Sequence, residues 1–125
     1  MKAQRLPGGS AFARVFEGGC STAGKLLVLY VHPSDDERAR VGFAVGKRLG
    51  GAVVRNRIRR RMREAFRLLP GSIGGADLVF VARGRILQAS QGQIQREMRD
   101  LLLHTAKCAV DREGFFRVTV EFEEL

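Results

Sequence analysis

Nine consecutive residues, Arg55-Asn56-Arg57-Ile58-Arg59-Arg60-Arg61-Met62-Arg63, contain six arginines. They lie inside a longer stretch, Ala52 to Leu69, that runs into Pro70-Gly71, where a helix must stop because proline cannot continue it. On a helical wheel Val54, Ile58, Met62, Ala65, Phe66 and Leu69 share one stripe. Asn56, Arg59, Arg60, Arg63 and Arg67 fall mainly on the opposite side, with Arg57 and Arg61 at a margin. Such a helix has to bury one side on an apolar platform and leave its cations outside. The pairs Arg55/Arg59, Arg59/Arg63 and Arg63/Arg67 stand four residues apart, a spacing at which like charges repel. Glu64 is the one acidic residue of the stretch. A phosphate backbone relieves the repulsion and releases counterions, so polyanion binding outweighs a merely solvated charged face.

The rest of the chain supplies the platform. Leu26 to Val31 is an apolar run of strand length, and Pro33-Ser34-Asp35-Asp36 reads as a turn. A strand over Arg40 to Gly46 alternates Val41, Phe43 and Val45 with Gly42, Ala44 and Gly46; its bare side would admit a second backbone. A third strand covers Asp77 to Arg83. Ser10 is placed to cap a helix over Ala11 to Glu17, which Gly18-Gly19 would end in the left-handed conformation. Ser90 caps another helix reaching about Cys108, with Ile94, Met98, Leu101, Leu102 and Ala109 on its apolar side. Phe115 to Phe122 alternates again and reads as a fourth strand, at an edge. The order α-β-β-α-β-α plus a tail strand predicts an α+β sandwich, and 125 residues fit one domain.

Charge narrows the partner. Lys and Arg total 22 against 13 Asp and Glu, a net charge of +9, which favours nucleic acid ahead of an anionic membrane. No apolar run reaches membrane-spanning length, and Met1 to Gly9 lacks the apolar stretch of a secretory signal. Cys20 and Cys108 are far apart and form no CxxC; reduced thiols in the cytoplasm are expected, with their mutual pairing left open. His32 and His104 are isolated, and the acidic clusters at Asp35-Asp36-Glu37 and Glu121-Glu123-Glu124 suit a turn and a solvated tail, so no protein metal site and no catalytic residue is assigned. Gly46 to Gly51 lacks the order of a phosphate-binding loop. A leucine-zipper basic region is disfavoured by the stop at Pro70. DNA readout within a globular domain, and a ribosomal type of structural RNA binding, both stay open.

Taken in order, Val41-Gly42-Phe43-Ala44-Val45-Gly46-Lys47-Arg48, Ala52-Val53-Val54-Arg55-Asn56-Arg57-Ile58-Arg59-Arg60 and Arg63-Glu64-Ala65-Phe66 closely resemble the signature of the ribonuclease P protein subunit family. The likeness includes Arg5-Leu6, Phe12, Val15-Phe16, Gly19 and Leu27 to Tyr30 upstream, and Asp77 to Arg83 downstream. It covers about residues 5–108; residues 109–125 form a C-terminal extension outside the pattern. The resemblance implies a fold like the second domain of ribosomal protein S5, with a left-handed β-α-β crossover that the general handedness rule would not provide. It implies an accessory subunit of a ribonucleoprotein endonuclease in which RNA is the catalyst. Mg²⁺ held by RNA and substrate then activates water to remove the 5′ leader of precursor tRNA. The protein alone is expected to be inactive.

Carried onto this chain, the resemblance places Lys47, Arg48, Arg57, Arg60, Arg61 and Arg67 toward the catalytic RNA. It places Phe12, Phe16, Tyr30, Arg55, Asn56, Arg59 and Arg63 at the leader. Aromatic faces beside a basic groove suit single strands of varied sequence; on composition alone, Phe12 and Phe16 would more often be core. Two positions depart from the pattern. Pro7-Gly8-Gly9-Ser10 stands where basic residues are common, and Gly51 where a capping Asn is frequent. The tail strand is free to extend the sheet, cover the cleft or pair with a second copy through its edge.

Overall fold

The computed structural model describes residues 1–113 and 119–121, with side-chain environments through residue 105. Its strands are β1 (Gln4–Arg5), β2 (Cys20–Ala23), β3 (Leu27–Pro33), β4 (Arg40–Ala44), β5 (Ser72–Gly74), β6 (Ala76–Ala82) and β7 (Thr119–Glu121). Its α-helices are α1 (Gly8–Gly18), α2 (Ala52–Leu68) and α3 (Gln91–Glu113). The main sheet runs β1-β4-β6-β3-β2, with β1, β4 and β6 parallel and the remaining neighbours antiparallel. Helix α2 connects the adjacent parallel strands β4 and β6. The α+β architecture expected from the pattern is the one observed.

Strand periodicity sends alternate residues to opposite faces, and each face has its own cover. Leu27, Leu29 and Val31 of β3, Val41 of β4, and Leu78 and Phe80 of β6 are buried in one cluster with Ile58, Met62 and Phe66 of α2 and Ile94, Met98 and Leu102 of α3. Phe43, Phe66 and Phe80 join β4, α2 and β6, with ring centroids 6.0 to 6.1 Å apart. On the other face Val79 is buried with Ala11 and Val15 of α1 and with Leu6. Each such aliphatic side chain taken from water contributes about 1.5–3 kcal/mol. Across β4 and β6, Arg40 makes a bidentate pair with buried Asp77 at 2.8 and 2.6 Å, which satisfies the carboxylate where water is excluded. The Glu97 carboxylate accepts the amides of Lys25, Leu26 and Leu27 at 2.7–2.8 Å, tying α3 to the β2–β3 turn.

Several local expectations change. Helix α1 begins at Gly8 and has Pro7 at its N-cap with no side-chain cap, so Ser10 lies inside the first turn and does not cap it. Buried Leu6 anchors the chain just before the helix, and Pro7 holds the extended entry. Gly19 ends α1 at φ −92° and ψ 165°, extended and not left-handed. Its requirement is space: a Cβ there would lie 2.6 Å from the carbonyl oxygens of Val15 and Val31. The bare side of β4 receives a ring and not a backbone, since a Cβ on Gly42 would lie 2.4 Å from Phe12 Cζ.

Ser90 does cap α3, its hydroxyl accepting the Gln93 amide at 3.2 Å while Gln93 Oε1 accepts the Ser90 amide at 2.8 Å, a capping box. Ala109 and the thiol of Cys108, with the expectations attached to them, lie outside the described side chains. Within the expected tail strand, Thr119–Glu121 pairs antiparallel with β5 in a separate two-stranded sheet. The rest of 115–122 lies outside the described residues.

Candidate nucleic-acid interface

Helix α2 divides as its sequence requires. Ile58, Met62, Ala65, Phe66 and Leu69 are buried and Val54 packs beside them. Asn56, Arg57, Arg60, Arg63 and Arg67 are exposed, while Arg55, Arg59 and Arg61 are half-buried. Lys47 and Arg48 are exposed on a 3₁₀ turn, Lys47–Leu49, just before the helix. The exposed cations therefore lie along the helix and its approach.

Local contacts set the direction of individual guanidiniums. Arg59 donates to Asn56 Oδ1 at 2.5 Å, one helical turn away. Arg67 donates to Glu64 at 2.6 and 3.1 Å. That hydrogen bond lowers the Glu64 carboxyl below its ordinary range and raises Arg67, so the carboxylate offsets one positive charge. Arg55 Nε is buried and, among the described residues, has no hydrogen-bond partner.

Arg61, placed toward RNA by the family resemblance, is engaged within the fold. Its guanidinium turns inward to the carbonyls of Ala89 at 2.5 Å and Ile86 at 3.4 Å, and to Gln91 Oε1 at 3.3 Å. Gln91 Nε2 in turn donates to the Arg61 carbonyl at 2.8 Å. The margin position of Arg61 on the wheel points it at the chain entering α3, where carbonyls are available. Helical periodicity could not reveal that neighbour.

The aromatic residues assemble into a short ladder. Phe12 and Phe16, four apart on α1, have centroids 6.4 Å apart, and Phe16 meets Tyr30 of β3 edge-on at 4.9 Å. Phe16 is 40% exposed, whereas Phe12 and Tyr30 are half-buried against the α1-side cluster. The ladder thus offers ring surface to solvent while its other edge is held by packing. Half-buried Ala44 and Val81 lie on the same side of the sheet. The even-numbered residues of β4 and the odd-numbered residues of β6 face that side, a signal the sequence already held.

Phe12 also reaches a groove of about 820 Å³ whose walls include Lys2, Arg5, Arg59, Arg63 and Arg67, with Phe43 and Phe66 below. The structure thus brings Phe12, Arg59, Arg63 and Arg67 together. Arg55, Asn56, Phe16 and Tyr30 do not line this groove. Lys2 and Arg5 escaped sequence reasoning, because nothing local shows that the N-terminal arm pairs with β4 and lies opposite α2. Among the described residues no three His, Cys, Asp or Glu side chains converge as a metal site, and no helix is long and apolar enough to cross a membrane.

The chain resembles known proteins in both sequence and fold. Residues 1–107 match the family model described as Ribonuclease P. The ribonuclease P protein component of Thermoanaerobacter sp. (strain X514) is 41% identical over 95 residues, covering 75% of this chain and 82% of that protein. The corresponding component of Herpetosiphon aurantiacus is 42% identical over 113 residues, covering 90% and 91%. Among solved structures, the Staphylococcus aureus RNase P protein superposes with a TM-score of 0.66 at 31% identity, covering 86% of this chain and 96% of that one. The Thermotoga maritima RNase P protein gives 0.65 at 23% identity, covering 81% and 94%, a likeness of fold. By sequence and by fold, this chain belongs to the ribonuclease P protein family.

Proposed function

We propose that the chain binds the catalytic RNA of ribonuclease P and the single-stranded 5′ leader of precursor tRNA, assisting cleavage that RNA performs. The observation that carries this reading is the division of α2 into a buried apolar side and an exposed arginine side, with Phe12 of the aromatic ladder sharing a groove with Arg59 and Arg63. Guanidiniums neutralise phosphates, and aromatic faces stack unpaired bases.

In this reading Lys47, Arg48, Arg57, Arg60 and Arg67 meet the RNA subunit, beside Arg61. Phe12, Phe16, Tyr30, Arg55, Asn56, Arg59 and Arg63 hold the leader. The Mg²⁺ that activates water is supplied by RNA and substrate, and the protein acts by binding and orienting. The work is done in the cytoplasm.

The test is cleavage by ribonuclease P RNA at low Mg²⁺ with and without the protein. Added protein should stimulate processing of leader-bearing precursor and tighten its binding; absence of both effects rejects the proposal and returns the chain to structural RNA binding or DNA binding. Phe12→Ala with Tyr30→Ala should weaken precursor binding by roughly tenfold or more, at about 1–3 kcal/mol per stacked base, and leave mature tRNA binding nearly unchanged. Equal losses for the two substrates would remove the ladder from the leader site.

A further inference from the structure

At the end of the main sheet where β4 and β6 finish, a second group of cations stands apart from helix α2. The chain leaves β2 through Gly24-Lys25 and leaves β6 through Arg83-Gly84-Arg85. Pairing of Leu27 with Ala82 sets the two connections side by side. They enclose a cleft of about 690 Å³ lined by Ala23, Gly24, Lys25, Arg83, Gly84 and Arg85. Half of that lining is cationic, none of it is acidic and none is aromatic. The cleft is held in shape from within. Arg83 Nη1 donates to the Gly24 carbonyl at 2.8 Å, and a Cβ on Gly24 would lie 2.5 Å from the Glu97 carboxylate carbon. That carboxylate is already taken up by the amides of Lys25, Leu26 and Leu27. Lys25, Arg83 and Arg85 are exposed and, among the described residues, none forms an ion pair. An adjoining hollow shares Lys25 and Arg85 but sets Glu97 and Asp100 against Arg96, so the uncompensated charge is concentrated in the first cleft.

We propose that Lys25, Arg83 and Arg85 hold the sugar–phosphate backbone of a paired segment of the catalytic RNA, as a contact separate from α2. The inference rests on the RNA-subunit reading above and extends it to residues outside the basic helix. Three like charges in one cleft repel each other, and a phosphate chain relieves them while releasing counterions. Unpaired bases need a stacking platform, which this lining lacks. Paired RNA keeps its bases inward and presents phosphates and 2′-hydroxyls, and the small residues Ala23, Gly24 and Gly84 let such a backbone come close. Continuity selects the catalytic RNA over the precursor. A Cβ on Gly84 would lie 3.7 Å from Leu49 Cδ2, in the same 3₁₀ turn as exposed Lys47 and Arg48. The bonds from Arg61 to the Ile86 and Ala89 carbonyls hold the chain after Arg85 against α2. One RNA surface can therefore meet the Lys47–Arg48 turn and this cleft together.

A salt titration of assembly between the protein and ribonuclease P RNA tests the proposal. Lys25→Ala with Arg85→Ala should weaken assembly roughly tenfold and lower its salt slope by about 2, at about 0.9 per phosphate contact with a double strand. Lys25→Arg with Arg85→Lys keeps the charges and should keep both quantities. A second measurement removes only one cation. Arg85→Cys is derivatised with an iron chelate whose hydroxyl radicals cut nearby sugars, and the holoenzyme is assembled with it. Cuts beyond those of identically treated wild type should fall in a paired segment of the catalytic RNA. Cuts confined to precursor tRNA or to unpaired RNA, or no new cuts, overturn the proposal. Wild-type affinity and slope in the double alanine variant do so as well. A wild-type protein that does not assemble with the RNA would instead overturn the RNA-subunit reading itself.

Discussion

Arg61 bears the same charge as its neighbours on α2 but does different work. Its guanidinium holds the carbonyls of Ile86 and Ala89, and Gln91 completes a reciprocal pair with it. This brace fixes the rotation of α2 about its axis, and with it the direction of Arg57 and Arg60. Arg61→Met should cost about 1.5–3 kcal/mol in urea unfolding, the range for hydrogen bonds to a charged group, while the salt slope of RNA binding stays unchanged. A slope lowered by about 1 would instead mark a lost phosphate contact. Gly42 illustrates a constraint of another kind. Gly42→Ala places a methyl group against the Phe12 ring and should push that ring off the sheet. Precursor binding should weaken in wild type but change little in a Phe12→Leu background; additive losses in the double variant would show that the two sites are not coupled.

At the scale of elements, α2 acts as a two-sided plate and β4 and β6 as its mount. Reversing charge with Arg57→Glu and Arg60→Glu removes two exposed cations without touching the buried stripe. Assembly with the RNA subunit should weaken and its salt slope fall by about 2, while the unfolding midpoint holds; assembly unchanged across a salt titration would clear this end of the helix. The β5–β7 pair poses a different question. Strand β5 has three residues, and its partner comes from the C-terminal extension. Truncation after Glu113 should speed hydrogen exchange at Ser72–Gly74 and leave α2 protected. Unaltered exchange would mean that the pairing gives β5 no stability.

Across the whole molecule, an excess of nine positive charges sits on a core crossed by three aromatic contacts. Phe80 is fully buried between Phe43 and Phe66, so Phe80→Ala should destabilise by about 3–5 kcal/mol, read as a lower urea midpoint; a loss below 1 kcal/mol would show that the three rings are not the core's keystone.

The amphipathic stripe of α2, the apolar runs of β3 and β6 and the capping box of α3 were all legible locally. Each follows from periodicity or from a side chain bonding its own turn, and the mixed α+β class follows from their order. Short strands β1, β2 and β5 were not legible, because two to four residues carry no period. Nor could spacing show that Arg61 would meet α3, that Gly42 seats a ring, or that Lys2 and Arg5 would stand across a groove from Arg63. Those relations join residues dozens of positions apart, and only the packed chain decides which surfaces come together. Charge and hydrophobic pattern determined that this protein has a basic face; tertiary structure decided which cations belong to it.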